Sequence, residues 1–402
     1  MVFRRRIPPI GRLVYLSWLT ALGAGCTGTT TPPPMSTVPG SGGAAGPGGG
    51  QGGRTGTGGA PGAGGSGGTS AAKDASTEVG GVSLDAGGGG TGSEVRPPPT
   101  GPDKVFGQCR FHFGTLDSIA KANPSIIPQI DFFTPGWMGS SDTFNLGGVC
   151  TETNPGAVLA NKVPVIVAYV AAFYVKRHFA LADCNATTGT QSLCTFGAQQ
   201  IQANLTPILN VYRSFAQGLA TCYGTTRPIV FEMEPDWYQY VSSTQTQPMT
   251  EDQAGSIMGQ FVSTIKASLP NAFFSMDISP WVGRNGADNG AEWFSHFDMT
   301  QFTFVNTSGG GTDATAAKIR AANAMTWAGV AQVTGKPILA DTGYGVNGRP
   351  AGPDVAWDTV ANINARIADG VLSVSQYNPT GPTWGATIAA VRTQVEAPSV
   401  CP

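Results

Sequence analysis

The amino-acid sequence predicts an α/β fold, a (β/α)₈ TIM barrel, over residues 102–402 of the 402-residue chain. Short β-rich runs alternate there with stretches of helical periodicity, and eight such runs fit into about 300 residues. Most runs are almost continuously apolar, which is typical of parallel strands that are buried on both faces. The predicted strands are Val105–Phe113, Gln129–Phe133, Val163–Val170, Pro228–Glu234, Ala272–Ile278, Thr300–Val305, Pro337–Asp341 and Val371–Tyr377.

Amphipathic stretches between these runs predict the outer helices of the barrel, because their apolar residues recur at helical spacing. The expected helices are Gly197–Ala220, Glu251–Leu269, Ala314–Val333, Val355–Ala368 and Gly385–Val395. Thr250 and Asp354 precede two of them and are the expected N-caps. A doubly wound open sheet is the alternative fold, but the glycine clusters after the strands lack the spacing of a phosphate-binding loop.

The first 26 residues are typical of a secretory signal. Arg4–Arg6 precede the apolar stretch Leu13–Leu22, which is too short to span a membrane and remain there. The run Leu-Gly-Ala-Gly-Cys that ends at Cys26 resembles a bacterial lipoprotein box, although its leucine stands four residues before the cysteine rather than three. We expect export, with lipidation of Cys26 as the first interpretation and ordinary cleavage nearby as the second.

Residues 27–101 predict a disordered linker. They contain 26 of the 57 glycines and too few apolar side chains to offset the entropy of ordering. A coil of this length spans about 45–50 Å on average. That span suits a domain held away from a membrane surface, and a plain spacer is the alternative.

The charge balance excludes one class of partner. The chain carries 23 basic and 25 acidic side chains, a net charge of −2, whereas phosphate binding needs a basic surplus. We therefore expect no nucleic-acid partner. No motif for a cofactor is present, and we expect a monomer.

Six cysteines follow the linker, an even number that indicates three disulfides in an oxidising compartment. They are Cys109, Cys150, Cys184, Cys194, Cys222 and Cys401. Cys184 and Cys194 flank a polar loop and are the expected local bridge, while the other pairings stay open. A metal site is the competing interpretation, but the chain has no Cys-x-x-Cys motif and only three histidines, so we expect no metal.

Three acids, Glu232, Glu234 and Asp236, lie within five residues at the end of the fourth predicted strand. A (β/α)₈ barrel places its catalytic residues at such strand ends. Side chains alternate along a strand, so Glu232 and Glu234 share one face and Phe231 and Met233 share the other. The apolar pair belongs against the outer helices, and both glutamates are therefore expected to point to the barrel axis. When two carboxylates are buried so close together, the charge of one raises the pKa of the other. A carboxyl group with a raised pKa is suited to act as a proton donor. A buried ion pair with an arginine such as Arg110 is the structural alternative.

Two further acids end predicted strands. Asp341 closes the seventh strand and is expected to face the strand-four acids across the barrel mouth. Glycoside hydrolysis typically requires two carboxyl groups that face each other across the scissile bond. Asp277 closes the fifth strand and is expected among the substrate-binding residues, although a strand-end aspartate is also a common cap or turn residue.

Aromatic residues recur just beyond the strand ends, where the core does not need them. Their flat faces suit the C–H faces of sugar rings, although core filling is the usual explanation for any single tryptophan. The expected substrate-binding aromatics are Trp137, Tyr174, Trp237, Trp281, Tyr344, Tyr377 and Trp384.

This combination resembles the clan A glycoside hydrolases, (β/α)₈ enzymes with a catalytic acid at the end of strand four and a nucleophile at the end of strand seven. The run Phe-Glu-Met-Glu-Pro-Asp-Trp over residues 231–237 is similar to His-Glu-Met-Asn-Gly-x-Trp of the family 26 β-mannanase group. Ser279-Pro280 and the stretch from Lys336-Pro337 to Asp341-Thr342-Gly343 also look like that family. The resemblance implies that Glu232 is the acid/base, whereas a plain Glu-Pro match would choose Glu234.

The chain departs from the family at its catalytic positions, because Phe231 replaces the histidine, Glu234 the asparagine and Asp341 the nucleophilic glutamate. The shorter aspartate withdraws its carboxylate by about 1–1.5 Å. This shift moves the carboxyl gap from the roughly 5–5.5 Å of retaining enzymes toward the roughly 6.5–9.5 Å of inverting ones. The family implies retention, and the sequence leaves the mechanism open.

The sequence therefore predicts an exported, surface-tethered glycoside hydrolase that acts on a polysaccharide of the β-mannan or β-glucan type. Its expected location is the cell surface or outer membrane, or the medium if Cys26 is not modified. The alternative is a polysaccharide-binding surface protein that has lost turnover, which the changes at Phe231 and Asp341 support.

Overall fold

The computed structural model describes residues 101–399 except positions 153, 185–190, 244, 280, 281, 283–285, 308–311, 322 and 344–351. The expected signal and linker lie outside the described residues, as do Cys26, Trp281 and Tyr344. No helix within the described ranges is both long enough and apolar enough to cross a membrane.

Eight parallel strands close into a barrel, which confirms the predicted (β/α)₈ fold. Each strand pairs with its neighbours in chain order, and the eighth pairs with the first. The strands are β1 His112–Leu116, β2 Phe132–Thr134, β3 Val163–Ala168, β4 Ile229–Met233, β5 Ala272–Ile278, β6 Phe304–Thr307, β7 Ile338–Thr342 and β8 Val371–Gln376. A two-residue segment beyond β2, Trp137–Met138, also pairs with β3.

Helices follow most of the strands and pack around the barrel. They are α1 Pro102–Phe106, α2 Asp117–Ala122, α3 Gly147–Glu152, α4 Val170–Phe179, α5 Leu193–Ala203, α6 Leu205–Tyr223, α7 Glu251–Lys266, α8 Ala291–Ser295, α9 Trp327–Thr334, α10 Val360–Ala368 and α11 Thr383–Arg392. Short 3₁₀ turns span Met299–Gln301 and Val355–Asp358, and a π-helical turn spans Gln239–Ser243. The expected N-cap Thr250 is confirmed, because it forms a full capping box with Gln253. The Asp354 side chain accepts from the Ala356 N–H, but it caps the 3₁₀ turn Val355–Asp358, and the predicted helix Val355–Ala368 begins only at Val360.

Alternating side chains divide the core into two layers, as a closed parallel sheet requires. The larger layer lies between the strands and the outer helices and includes Phe231 and Phe274. The smaller layer fills the base of the barrel interior. Its members are Val105, Phe132, Val165, Val230, Phe304, Leu339 and Leu372.

The first predicted strand is wrong over its first half, because α1 forms there instead. Val105 of α1 belongs to the inner layer, and Phe106 stacks on His112 with 4.2 Å between ring centroids. The apolar residues that suggested a strand therefore cover the base of the barrel, and β1 begins only at His112. Gly114 of β1 is required for close packing, since a Cβ there would lie 2.0 Å from the Phe132 ring.

Several other boundaries differ from the sequence prediction, and three of them have local reasons. The predicted helix Gly197–Ala220 breaks at Asn204, three residues before Pro207, which fits only the first turn of a helix. Most of Ala314–Val333 is irregular, because the Asp313 carboxylate accepts from the Thr315 N–H at 2.8 Å and hydroxyl at 2.7 Å and so competes with helix formation. The sixth strand begins at Phe304 rather than Thr300, behind a 3₁₀ turn.

Disulfides tie the outer elements together. The predicted bridge Cys184–Cys194 is confirmed, and a second joins Cys150 of α3 to Cys222 of α6. Cys109 is disulfide-bonded as well.

Candidate functional site

Glu232 and Asp341 both point into the barrel at the C-terminal ends of their strands. Glu232 shares its face of β4 with Val230, and Asp341 shares its face of β7 with Leu339, and both of these apolar residues belong to the inner layer. The two acids are only 3% and 4% exposed. The strand pattern therefore places two carboxyl groups above the apolar base, inside the barrel.

The two carboxyl groups influence each other electrostatically. Burial raises the pKa of Glu232 to about 8, and within the described residues its carboxylate accepts no hydrogen bond. Burial, followed by the charges of Glu232 and Asp277, raises the pKa of Asp341 well above its usual range, while the Arg320 charge opposes this rise. When Glu232 is protonated its repulsion of Asp341 disappears, and Arg320 still favours the charged aspartate. The titrations of the two groups are therefore linked, and the pair retains at least one proton near neutral pH that the two carboxyl groups share.

Arg320 was not anticipated from the sequence. Burial lowers the pKa of its guanidinium, and the charges of Asp236, Asp277 and Asp341 raise it again, so the arginine lies among three acids. It comes from the irregular segment after β6, which the sequence pattern assigned to a helix. A single arginine among small residues was the available signal in the sequence.

Asp277 lies at the same end of the barrel, 1% exposed at the end of β5. Its Oδ2 accepts a hydrogen bond from the Asp236 backbone N–H at 2.9 Å. Asp277 thus orders the chain that leaves β4 and adds negative charge beside Asp341.

Glu234 does not point to the barrel axis, and the expectation from strand parity is wrong at this residue. β4 ends at Met233, and Glu234 has a positive φ of 42°, which turns its side chain away from the strand pattern. Its Oε1 accepts from the Ala171 N–H at 2.7 Å and from the Tyr212 hydroxyl, and its Oε2 accepts from the Tyr240 hydroxyl at 2.5 Å. Glu234 is therefore held between the start of α4 and two outer tyrosines, with its pKa raised to about 7 chiefly by burial.

The chain after β4 is strained, because Asp236 also has a positive φ, of 64°. Residues other than glycine seldom adopt this conformation, and they cluster where the surrounding structure imposes it. Hydrogen bonds from Tyr212, Tyr240 and Ala171 to Glu234, and from Asp236 to Asp277, impose it here.

Polar side chains of β5, β6 and β8 line the interior next to the two acids. Ser275 pairs laterally with Glu232, and Ser375 pairs laterally with Asp341, so each shares the inner face with its partner. Asn306 lies two residues beyond Phe304 of the inner layer. The Ser275 and Ser375 hydroxyls and the Asn306 Oδ1 are buried, and no other described residue hydrogen-bonds to them. Buried polar atoms normally have partners, so these groups are suited to hydrogen-bonding the hydroxyls of a bound molecule.

Two of the expected sugar-binding aromatics belong to the core instead, and that prediction is wrong for them. Trp237 is 1% exposed and packs edge-on against Tyr240 and against Phe261 of α7, with ring centroids 5.3 and 5.7 Å apart. Trp384 is fully buried, and its indole N–H donates to Asp358 at 2.8 Å. Both rings face the outer helices, where apolar packing outweighs exposure at the mouth.

The remaining described aromatics differ in their exposure. Tyr174 is 9% exposed and stacks on His178, and Tyr377 is 7% exposed after β8, so both are largely buried. Trp137 is half-buried and contacts Tyr169 and Phe173, which are half-buried as well. Tyr169 was not singled out from the sequence, because it precedes α4 by one residue in a run that was assigned to a strand.

Within the described ranges, no three His, Cys, Asp or Glu side chains are grouped to hold a metal ion. No protein-family model and no curated protein matches the chain.

Solved structures do show similarity to it. A glycoside hydrolase, GH26C, from a Muricauda species is 14% identical, with a TM-score of 0.48, over 74% of this chain and 90% of its own. A GH26 β-mannanase from Bacteroides ovatus is 13% identical, with a TM-score of 0.47, over 72% of this chain and 89% of its own. The carboxyl transferase domain of Rhizobium etli pyruvate carboxylase is 13% identical, with a TM-score of 0.38, over 74% of this chain and 47% of its own. The family that the sequence motifs resemble is represented among these structures, beside a carboxyl transferase domain.

Proposed function

We propose that this protein is a glycoside hydrolase that cleaves a polysaccharide of the β-mannan or β-glucan type, with Glu232 and Asp341 as its catalytic pair. The observation that carries the proposal is the pairing of these two buried carboxyl groups inside the barrel, where the charge of one raises the pKa of the other. Purely structural buried acids are usually paired with cations, and the described residues give Glu232 none, so this pair is a candidate for catalysis.

Glu232 is the proton donor in this proposal. Its pKa of about 8 keeps it protonated at neutral pH, and a protonated carboxyl group can donate to the oxygen of the leaving sugar. The Glu-Met-x-x-x-Trp resemblance supports the same residue. Glu234 is better suited to holding the end of β4, since three described donors already occupy its oxygens.

Asp341 is the counterpart of Glu232 in this proposal and acts as a carboxylate. The Arg320 charge favours that form, whereas burial and the charges of Glu232 and Asp277 oppose it. It acts as a nucleophile if its carboxylate reaches the anomeric carbon, and as a base through a water molecule if it does not. The Asp341→Glu substitution separates these roles. Restoring the methylene should raise turnover if Asp341 is a shortened nucleophile, and should lower it if Asp341 is sized for a water. The anomeric configuration of the first product, measured by NMR, must agree with the result.

The activity is tested by incubating the protein with soluble glucomannan, galactomannan and mixed-linkage β-glucan and measuring new reducing ends. We expect release from at least one polymer, and the Glu232→Gln variant prepared in parallel is the control for contaminating enzymes. Equal release by the two proteins, or binding without release, would contradict the proposed activity, and the second outcome would favour the polysaccharide-binding alternative.

The surface location is a separate part of the proposal. It is supported by the Arg4–Arg6 and Leu13–Leu22 order, by Cys26 and by the disulfides Cys150–Cys222 and Cys184–Cys194. Cys26→Ser should move the protein from the membrane fraction to the soluble one when both forms are made in a bacterial host that lipidates exported proteins. A variant that still sediments with membranes would contradict lipidation.

A further inference from the structure

We propose that Trp137, Tyr169 and Phe173 form an aromatic platform that binds a pyranose ring of a neutral polysaccharide beside Glu232. The platform deepens the proposed function, since it names the surface that holds the chain next to the proton donor. Trp237, which the sequence predicted to stack on sugar, is not part of the platform, because it packs in the outer core.

Strand register places Trp137 on the inner face of the barrel. Paired residues of neighbouring strands share a face, and Trp137 pairs with Val167 of β3, which in turn pairs with Glu232 of β4. Val167 is two residues beyond Val165 of the inner layer. Met138, the next residue along, is fully buried in the outer core, as strand alternation requires.

The same register sets the distance between the platform and the proposed acid. Trp137 and Glu232 occupy one row across the sheet with a single strand between them, so their backbones are about 10 Å apart at the usual strand spacing. A sugar ring on Trp137 would therefore lie one or two sugar units along the polysaccharide from the glycosidic bond whose oxygen Glu232 protonates.

The platform is built as a rigid, partly open surface. Its rings contact each other, with centroids 5.5 Å apart for Trp137 and Tyr169, 4.9 Å for Tyr169 and Phe173, and 6.1 Å for Trp137 and Phe173. Tyr169 also contacts Tyr240, whose hydroxyl holds Glu234. All three rings are half-buried, and the described residues give the Trp137 indole N–H no acceptor.

These features fit a sugar better than they fit the core. A fully packed core would bury the rings, as it does for Trp237 and Trp384. A pyranose offers C–H faces for the aromatic surface and hydroxyls for the indole. Lys176 lies over Phe173 at 5.8 Å, and the flat aromatic faces of the platform suit the uncharged C–H faces of a pyranose ring.

The test measures binding in the Glu232→Gln background, where hydrolysis does not interfere. Titration calorimetry against soluble glucomannan, galactomannan and mixed-linkage β-glucan compares Glu232→Gln alone with added Trp137→Ala, Trp137→Phe or Phe173→Ala. The matched control is Phe179→Ala, which removes a half-buried ring from the far end of the same helix α4. Unfolding midpoints are measured for each variant, and Trp137→Phe serves if Trp137→Ala does not fold.

We expect Trp137→Ala to weaken binding about tenfold, as the loss of an aromatic contact implies. Phe173→Ala and Trp137→Phe should weaken it less, and Phe179→Ala should leave it unchanged. In the active protein, Trp137→Ala should raise KM with little change in kcat. Unchanged affinity on Trp137→Ala, or equal weakening by Phe179→Ala, would overturn the platform.

The outcomes also separate the platform from the hydrolase activity. Binding that depends on Trp137, in a protein that releases no reducing ends, supports the platform and contradicts the hydrolase. Turnover that is indifferent to Trp137→Ala supports the hydrolase and overturns the platform. A parent protein with no affinity for any of the three polymers overturns the platform.

Discussion

Carboxyl groups are buried at both ends of the barrel, but their pKa values shift in opposite directions. At the base, Asp131 contacts Arg110 at 2.5 Å, Arg392 at 3.0 Å and His112 at 3.3 Å. Burial alone would raise the pKa of Asp131, but the neighbouring His112, Arg392 and Arg110 hold that pKa far below its usual range. At the mouth, none of the described residues pairs Glu232 with a cation, and burial raises its pKa to about 8.

The difference separates a structural acid from a candidate catalytic one. A carboxylate that is paired with cations stabilises the fold and stays ionised, whereas one that is buried without a cation destabilises its charged form and keeps its proton. Four predictions test this contrast, in order of expected effect.

Glu232→Gln should lower kcat by about 10²–10⁴-fold, because it removes a positioned proton donor and conserves the shape of the side chain. Asp341→Asn should have an effect of the same order. Reducing-end assays on the best polymer give the rates, and circular dichroism of each variant shows whether the fold persists. Full activity in Glu232→Gln would contradict its assignment as the donor.

Asp131→Asn should cost about 3 kcal/mol in free energy of unfolding, since it leaves Arg110 and Arg392 without their anion. Turnover at low temperature should stay within about threefold, because the base lies at the opposite end of the strands from the mouth. Urea unfolding of the variant and wild type measures the difference. A loss below about 1 kcal/mol would mean that the ion cluster is not structural.

Glu234→Gln should cost about 2 kcal/mol in stability, because an amide replaces a carboxylate that accepts hydrogen bonds from Tyr212, Tyr240 and Ala171. It should lower kcat less than tenfold. Tyr212→Phe is the matched control, since it removes one donor and leaves the carboxyl group. If Glu234→Gln abolished turnover while Glu232→Gln did not, the roles of the two glutamates would be reversed.

Stability should also depend on pH in opposite directions at the two ends. Glu232 has a raised pKa, so between about pH 4.5 and 8 the folded state binds more protons than the unfolded state, and its contribution to stability falls as pH rises. Asp131 has a lowered pKa, so its contribution is present above about pH 4 and is lost on acidification.

Unfolding midpoints between pH 2 and 9 measure both effects. Glu232→Gln should flatten the decline on the alkaline side by up to about 1.4 kcal/mol per pH unit. Asp131→Asn should flatten the loss on the acid side. Parallel curves for Glu232→Gln and wild type would contradict a raised pKa at Glu232.

The amino-acid sequence determined the elements whose local residue pattern agrees with their place in the folded barrel. Near-continuous apolar runs at regular intervals specify a parallel barrel, and strand parity alone puts Glu232 and Asp341 inside it, because Val230 and Leu339 share their faces. Thr250 and the bridge Cys184–Cys194 followed from short-range spacing in the same way.

Tertiary structure decided the features that depend on contacts distant in the chain. The alternation of side chains applies only within a strand, so it does not predict the positive φ that turns Glu234 toward Tyr212 and Tyr240 just beyond β4. An indole is apolar in any sequence, and only packing against α7 shows that Trp237 fills the core while Trp137 stays partly open. The location of Arg320 among three acids likewise depends on an irregular segment that has no repeating residue pattern. These charges meet only when the sheet closes and its loops come together.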